Sequence, residues 1–351
     1  MDDVKFLINE KYKLVDVLGK GSYGTVCSAV DNKTSKCQIA IKKVTRIFER
    51  EILMKRALRE LKLMKHFNGH KNIISLLDLD LIAQQPYEGL YCYQELCDYD
   101  LARVIYSTMQ FSEFHIQSFI YQILCGLKYI HSADVIHRDL KPGNILVTIQ
   151  GILKICDFGL ARGINTEFFI VGDTKPQLIT NYVATRWYRA PELMLSKKNY
   201  DKSIDLWSVG CILAELYGRK PIFIGKNQLN QLQEICKVLG SPSKTLIFKN
   251  GWNINLLKLN YTNTGLSSLY PFASSKAIDL MENLLTWDPN QRLTVIDCLN
   301  HSFVLPVRDS TNEPSCTDIF DFSFEYDYIT IDELKDKLQA EVEFFKIQRL
   351  G

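Results

Sequence analysis

From Leu14 to Leu18 hydrophobic and polar positions alternate, the period of a half-buried strand, Thr25 to Val30 again favours strand, and Ile39 to Lys42 is a short β-branched run that ends in a lysine. The rhythm then lengthens. Leu53, Ala57 and Met64 recur at helical spacing between about Glu49 and Lys65, and Glu60 falls on the same stripe. Strand-like runs return near Ile73 to Asp80 and Leu90 to Glu95. Further on, Ile116, Ile120, Ile123, Leu127 and Ile130 form one face of a long helix from Phe114 to His131. Asp205 to Leu216 is apolar nearly all round, which predicts a buried central helix. The last helix starts at a capping box of Thr330 and Glu333, and Leu334, Leu338, Val342 and Phe345 line one side of it. A stripe of that kind must pack on something.

At 351 residues, 46% of them hydrophobic and 23% charged, the chain suits one large domain or two lobes with ample core. Its net charge is +2, and it carries no basic block or zinc spacing, so nucleic-acid binding has no support. The ten cysteines are scattered, several of them inside apolar helical stretches (Cys125, Cys211, Cys236), and none forms a C-x-x-C pair; they read as free thiols. The first ten residues lack the apolar core of a secretory signal, residue 2 is Asp and not the glycine a myristoyl anchor needs, and no run approaches the roughly 20 apolar residues of a membrane helix. The expectation is a soluble intracellular protein.

Candidate chemistry starts at G-K-G-S-Y-G-T-V, Gly19 to Val26. Glycines so spaced serve phosphate binding, dinucleotide binding or an ordinary hairpin turn; a strand follows here where a dinucleotide fold would place a helix. I-A-I-K ends a β-branched strand at Lys42. A lysine there commonly snorkels to solvent. Glu60, however, lies on the apolar stripe of the following helix, where an unpaired carboxylate is costly, and Lys42 is the obvious cation for it. Most informative is Val135 to Glu192, where H-R-D-L-K-P-G-N (His137 to Asn144) is followed thirteen residues after Asn144 by D-F-G (Asp157 to Gly159) and then by A-P-E (Ala190 to Glu192). Phosphoryl transfer needs a carboxylate on the attacking hydroxyl and oxygen ligands on the metals that shield the phosphates. Asp139 can serve the hydroxyl, Lys141 the moving phosphate, and Asn144 and Asp157 magnesium.

These motifs resemble those of the eukaryotic protein kinases, and the resemblance runs from about Tyr12 to Phe303. It implies an α+β, bilobal fold with a small β-rich N-lobe carrying one key helix and a large, mainly helical C-lobe. The implied division is a short extension (residues 1–11), a kinase domain (12–303, with lobes 12–97 and 98–303) and a C-terminal extension (304–351). It also implies ATP and Mg2+ as cofactors. The nucleotide would meet Gly19, Lys20, Gly21, Ser22, Tyr23 and Gly24 at the hairpin, Val26, Ala40 and Leu146 around adenine, and Lys42 at the phosphates. Gln94 would be the gatekeeper, the backbone of Glu95 and Cys97 would face the adenine edge, and Asp100 would reach the ribose. Asp205 would bond the catalytic-loop backbone and Glu192 would pair with Arg292. Lys141 within R-D-L-K-P implies serine/threonine specificity. The tail helix is expected to return to the N-lobe, as in one kinase branch.

Between D-F-G-L-A-R and A-P-E stands T-N-Y, Thr180 to Tyr182, which resembles the doubly phosphorylated lip of the mitogen-activated protein (MAP) kinases. By that resemblance Arg59, Arg138 and Arg162 converge on phospho-Thr180, and Arg186 and Arg189 receive phospho-Tyr182, each phosphate adding about −1.5 to −2 charges. Cyclin-dependent kinases lack T-x-Y and the long tail. Asn181 and Gly143 make the lip and loop most similar to the fungal sporulation branch, which acts in spore-wall formation. The implied substrates are proteins with Ser/Thr-Pro sites. Upstream kinases and phosphatases would dock by basic peptides on Asp309 and Glu313 of D-S-T-N-E-P. The implied state is a monomer of cytoplasm and nucleus. The alternative from another class is a pseudokinase scaffold, disfavoured because Lys42, Glu60, Asp139, Asn144 and Asp157 are all present.

Overall fold

The computed structural model describes residues 5–21, 24–33, 38–164, 186–195, 200–252, 260–326 and 330–350. The alternating runs form strands β1 (Tyr12–Gly21), β2 (Gly24–Asp31), β3 (Gln38–Val44), β4 (Leu76–Ile82) and β5 (Gly89–Glu95), paired antiparallel in the order β1-β2-β3-β5-β4. The glycine-rich stretch is the tip of the β1–β2 hairpin, as the strand after it predicted. A Cβ at Gly24 would lie 1.9 Å from the Lys43 carbonyl oxygen, so glycine there lets β2 approach β3 closely.

The chain divides into two compact units, the first made of Met1–Tyr99, Leu146–Leu160 and Asp321–Gly351, the second of Asp100–Ile145 and Ala161–Phe320. The continuous stretches 98–303 and 304–351 read from the sequence therefore differ from the observed grouping. Backbone bonding explains the first exchange: Ile74 N donates to Ile155 O at 3.0 Å, Ile155 N to Asn72 O at 2.9 Å, and Asp98 N to Val147 O at 3.1 Å.

In the first unit, period-2 alternation gives the sheet two faces. On one, Ala29, Ile39, Ile41, Tyr91 and Tyr93 form a buried cluster, over which the N-terminal residues Phe6 and Ile8 pack. The other carries Val26, Ala40, Lys42, Cys92 and Gln94, placed opposite one another by the β2–β3 and β3–β5 registers. Helix α1 (Glu51–His66) buries Met54, Leu58, Leu61 and Leu63 in addition to Ala57 and Met64, a wider face than the stripe read from the sequence. The last helix, Ile331–Leu350, accounts for the extra width, because it packs on α1 and β4 with Leu334, Leu338, Val342 and Phe345 buried. Its capping box forms as predicted: Glu333 N donates to Thr330 Oγ1 at 3.2 Å and Thr330 N to Glu333 Oε2 at 2.7 Å.

Helices of the second unit are α2 (Leu101–Tyr106), α3 (Glu113–Ser132), α4 (Pro191–Leu195), α5 (Ser203–Gly218), α6 (Gln228–Leu239), α7 (Lys244–Lys249), α8 (Leu266–Leu269), α9 (Ser275–Leu284) and α10 (Val295–Leu299). Helix α5 is the predicted central helix, buried without interruption from Ile204 to Leu216. A Cβ at Gly210 would come within 2.9 Å of Leu284 and Leu285, so glycine sets the close approach of α5 to α9. Arg292 and Glu192 form the expected pair at 2.7 Å, both side chains almost wholly buried. All described cysteines are free. No helix among the described residues is long and apolar enough to cross a membrane.

Candidate active site

The nucleotide residues named above lie mostly in the first unit. β3 carries Lys42 out of an apolar strand, and α1 brings Glu60 to it: Lys42 Nζ donates to Glu60 Oε1 at 2.6 Å. Burial alone would lower the lysine's pKa; the Glu60 carboxylate, with Asp157 next, outweighs it and holds the ammonium protonated. The snorkelling alternative is thereby set aside. Ala40 and Gln94 are buried on the same sheet face, and the Gln94 amide donates to Met64 Sδ at 3.3 Å. Val26 and Leu146 are half-buried, and nothing lies within 4 Å of where a Gly19 Cβ would be, so the backbone there is accessible from that side. Glu95 spends its side chain locally, on Ser75 N at 2.7 Å and Lys154 at 2.9 Å. Burial pushes the Cys97 thiol up to about 12 and raises Cys156 as well, which keeps both protonated and poorly nucleophilic. Asp157 adopts a left-handed backbone, φ 64°, a cost that the surrounding structure must offset.

The transfer residues lie in the second unit. Asp139 accepts three hydrogen bonds from two local donors: Lys141 Nζ reaches its Oδ2 at 2.6 Å, Asn144 Nδ2 its Oδ2 at 3.0 Å, and the same amide its backbone oxygen at 2.9 Å. With nitrogen aimed at Asp139, the Asn144 group presents oxygen as its second end, the ligand type a hard cation takes. Beneath the loop, Asp205 of α5 accepts from the backbone N–H of His137 and of Arg138, each at 2.9 Å, and bonds His131 Nε2 at 2.9 Å. Burial works to raise the Asp205 pKa, but His131, His137 and the backbone donors prevail and hold it below the usual carboxylate range. Arg138 also has a left-handed backbone, φ 68°, with its guanidinium over the Tyr200 ring at 4.9 Å. Arg189 N donates to Arg186 O at 3.1 Å; burial lowers the Arg189 pKa against the pull of Asp139.

Asp100, placed at the ribose by resemblance, also caps α2, its Oδ1 accepting from Arg103 N at 2.8 Å. Two expectations change. Arg59, expected to wait for a phosphothreonine, is already engaged inside the first unit: its Nε and Nη2 donate to the Glu325 carboxylate, the latter at 2.8 Å, and Nη1 to Gly159 O. Glu313, expected to meet docking peptides, is buried and takes Arg308 Nε at 2.8 Å and Nη2 at 3.0 Å, with Lys128 Nζ at 3.8 Å. Of the docking pair Asp309 alone is exposed. Ser22, Tyr23, Thr180 and Tyr182 lie outside the described residues, and Lys20 and Arg162 fall on the strand segments Tyr12–Gly21 and Arg162–Gly163. Glu325 is the residue that sequence reasoning missed. A signal was present in Phe320, Phe322 and Phe324, apolar positions two apart that are all buried, although Ser323–Tyr326 is a short helical turn and not the extended run that such spacing predicts.

The chain is similar to known proteins over most of its length. Residues 12–304 match the protein kinase domain model. The sporulation-specific mitogen-activated protein kinase SMK1 of Saccharomyces cerevisiae is 55% identical over 343 residues, 95% of this chain and 88% of that protein. The mitogen-activated protein kinase MPS1 of Pyricularia oryzae is 47% identical over 91% of this chain and 77% of its own. The kinase SLT2/MPK1 of Saccharomyces cerevisiae is 47% identical over 97% and 71%.

Proposed function

Because the chain belongs to the protein kinases and, within them, to the serine/threonine kinases of the mitogen-activated type, we propose that it transfers the γ-phosphoryl group of ATP to serine or threonine before proline, under control of its activation lip. The observation that carries this reading is the constellation on Asp139, with Lys141 and Asn144 bonded to it and Asp205 fixing the loop beneath. Asp139 orients the substrate hydroxyl and accepts its proton as the oxygen attacks phosphorus. Lys141 neutralises charge on the transferring group, and Lys42, aligned by Glu60, holds the α and β phosphates. By the family resemblance Asn144 and Asp157 are the residues that would hold Mg2+, which when bound would neutralise charge on the phosphate oxygens.

Phosphorylation of Thr180 and Tyr182 is the switch, with Arg138 and Arg162 as partners of the first phosphate and Arg186 and Arg189 of the second. Proline is accepted after the phosphorylated residue because it has no backbone N–H to leave unpaired. Likeness to SMK1, by name a sporulation-specific kinase, supports a role in fungal sporulation. An upstream kinase and phosphatases recruited by basic peptides at Asp309, and work in cytoplasm and nucleus, complete the reading. A magnesium-ATP transfer assay on Ser-Pro and Ser-Ala peptides, with Asp139→Asn as control, tests it. Transfer to the Ser-Pro peptide that Asp139→Asn lowers by about 10²-fold or more is expected; transfer that the substitution leaves unchanged overturns it.

A further inference from the structure

Arg59 sits one residue before Glu60 on α1 and is 4% exposed, and the Glu325 carboxylate that engages it is 7% exposed. The pair is side-on and two-pronged, Nε and Nη2 to the two carboxylate oxygens, with Nη1 on the Gly159 carbonyl. All three guanidinium nitrogens therefore have acceptors inside one unit. A buried guanidinium needs an anion, and here it comes from a residue 266 positions away in sequence. The same tail grips α1 further along: Glu341 takes Lys62 and Lys65, each at 3.0 Å, and Lys62 Nζ lies 5.4 Å from the Phe324 ring. Arg59, Lys62 and Lys65 are three apart and share one face of the helix, while Glu60 is turned by about 100° from Arg59. Fixing that face fixes the rotation of α1, and the rotation decides whether Glu60 meets Lys42.

We propose that Glu325 is a positioning residue for phosphoryl transfer: through Arg59 it supplies from the tail the anion that holds α1 in register, so the Lys42–Glu60 pair forms without a phosphate on Thr180. This rests on the reading of the chain as a kinase. It reverses the order implied by resemblance, in which Arg59 contributes only once the lip is phosphorylated. Phosphate on Thr180 then acts mainly through its other arginines.

The test uses the full chain carrying Thr180→Ala, so that the lip offers no anion to Arg59. Magnesium-ATP transfer to a Ser-Pro peptide is measured for this parent and for Glu325→Gln, Glu60→Gln and both together, with kcat and KM for ATP resolved and melting recorded. Expected is a fall in kcat of about tenfold for Glu325→Gln, the equivalent of about 1.4 kcal/mol, with KM for ATP much less changed. The double variant should be no slower than Glu60→Gln alone, because both act on one contact. An unchanged or raised kcat, or independent losses that multiply, overturns the proposal; a raised kcat would mean that Glu325 withholds Arg59. If Glu325→Gln fails to fold, the exchange Arg59→Glu with Glu325→Arg decides: recovery of both melting and kcat supports positioning, and recovery of melting alone rejects it. Absence, in the unsubstituted chain measured alongside, of any transfer that Asp139→Asn lowers removes the kinase reading itself, a result separate from a working chain indifferent to Glu325.

Discussion

The two units hold their chemical groups in opposite ways. In the second, Asp139, Lys141 and Asn144 lie within six residues of one another, and the loop that carries them hangs on one wholly buried carboxylate, Asp205, anchored in the most buried helix among the described residues. In the first, Lys42 comes from a strand, Glu60 from a helix, and that helix is steadied by a tail more than 260 positions further on. The first arrangement is fixed once its unit folds. The second can be altered from a distance, because part of what sets Glu60 is a surface element with its own stability. A kinase regulated through α1 gains from that division: transfer chemistry stays constant while alignment of the nucleotide is adjusted.

The largest effect should come from the loop. Asp139→Asn keeps size and most hydrogen bonds but removes the proton acceptor, so turnover should fall by about 10²–10⁴-fold with an unchanged melting temperature; steady-state kinetics alongside calorimetry measures both. Asp157→Asn and Lys42→Arg should likewise cost turnover and not folding. Asp205→Asn asks whether the loop really depends on one carboxylate. It weakens bonds to His131, His137 N and Arg138 N at once and should cost about 3–5 kcal/mol of stability, together with activity.

Next is the tail. Leu338 is fully buried beneath the last helix, and Leu338→Ala should cost about 2–5 kcal/mol. Hydrogen exchange should quicken in α1 and the tail helix and stay unchanged in α5. Equal quickening in α5 would show that the units do not differ as argued. A smaller effect, confined to the first unit, is acid sensitivity. His70 Nδ1 accepts from Asn72 N at 3.1 Å, and burial, assisted by Lys154, depresses its pKa from 6.5 to about 4. Between those values the unfolded chain binds more protons than the folded one, so the contribution is complete above pH 6.5 and is lost as pH falls toward 4. Melting followed over that window should slope downward with acid, and His70→Asn, which keeps an acceptor for Asn72 N, should flatten the slope.

What the sequence disclosed follows the same division. The loop was legible because its groups are contiguous: H-R-D-L-K-P-G-N states the constellation in one line, and Asp205 opens a helix whose all-round apolarity announces burial. The Lys42–Glu60 pair was legible because a carboxylate on an apolar stripe demands a cation. Glu325 was not, since an acidic residue in a polar tail is unremarkable until the fold places Arg59 against it. Glu313 was misread for the same reason, as one of two nearby charges in a short turn; only the packing of Arg308 and Lys128 shows that it is taken. Asp100 shows a local overlap, since a carboxylate just before a helix can cap it with one oxygen and present the other, and here Oδ1 caps.

The smallest effect concerns docking, and it separates two carboxylates four residues apart. Asp309 is exposed and caps the turn Ser310–Asn312, accepting from Thr311 N at 3.1 Å and Asn312 Nδ2 at 2.9 Å. Asparagine can still cap that turn, so Asp309→Asn removes charge with little loss of structure. Exposed ion pairs are worth about 0.2–1 kcal/mol, so affinity for a basic docking peptide should fall by no more than about fivefold, and the difference should vanish at high salt. Glu313→Gln should do the reverse: it strips the anion from Arg308 and Lys128 and lowers melting, while peptide affinity stays as it was. Asn312→Asp sharpens the contrast, because a second carboxylate would face Asp309 across the present 2.9 Å hydrogen bond and would have to turn outward to solvent, where a cationic peptide can meet it. Titrating one peptide against the four proteins at two salt concentrations, with melting in parallel, reads all of these. A loss of affinity on Glu313→Gln equal to that on Asp309→Asn would mean that the buried carboxylate is exposed during docking, and that this edge of the second unit is as adjustable as the tail of the first.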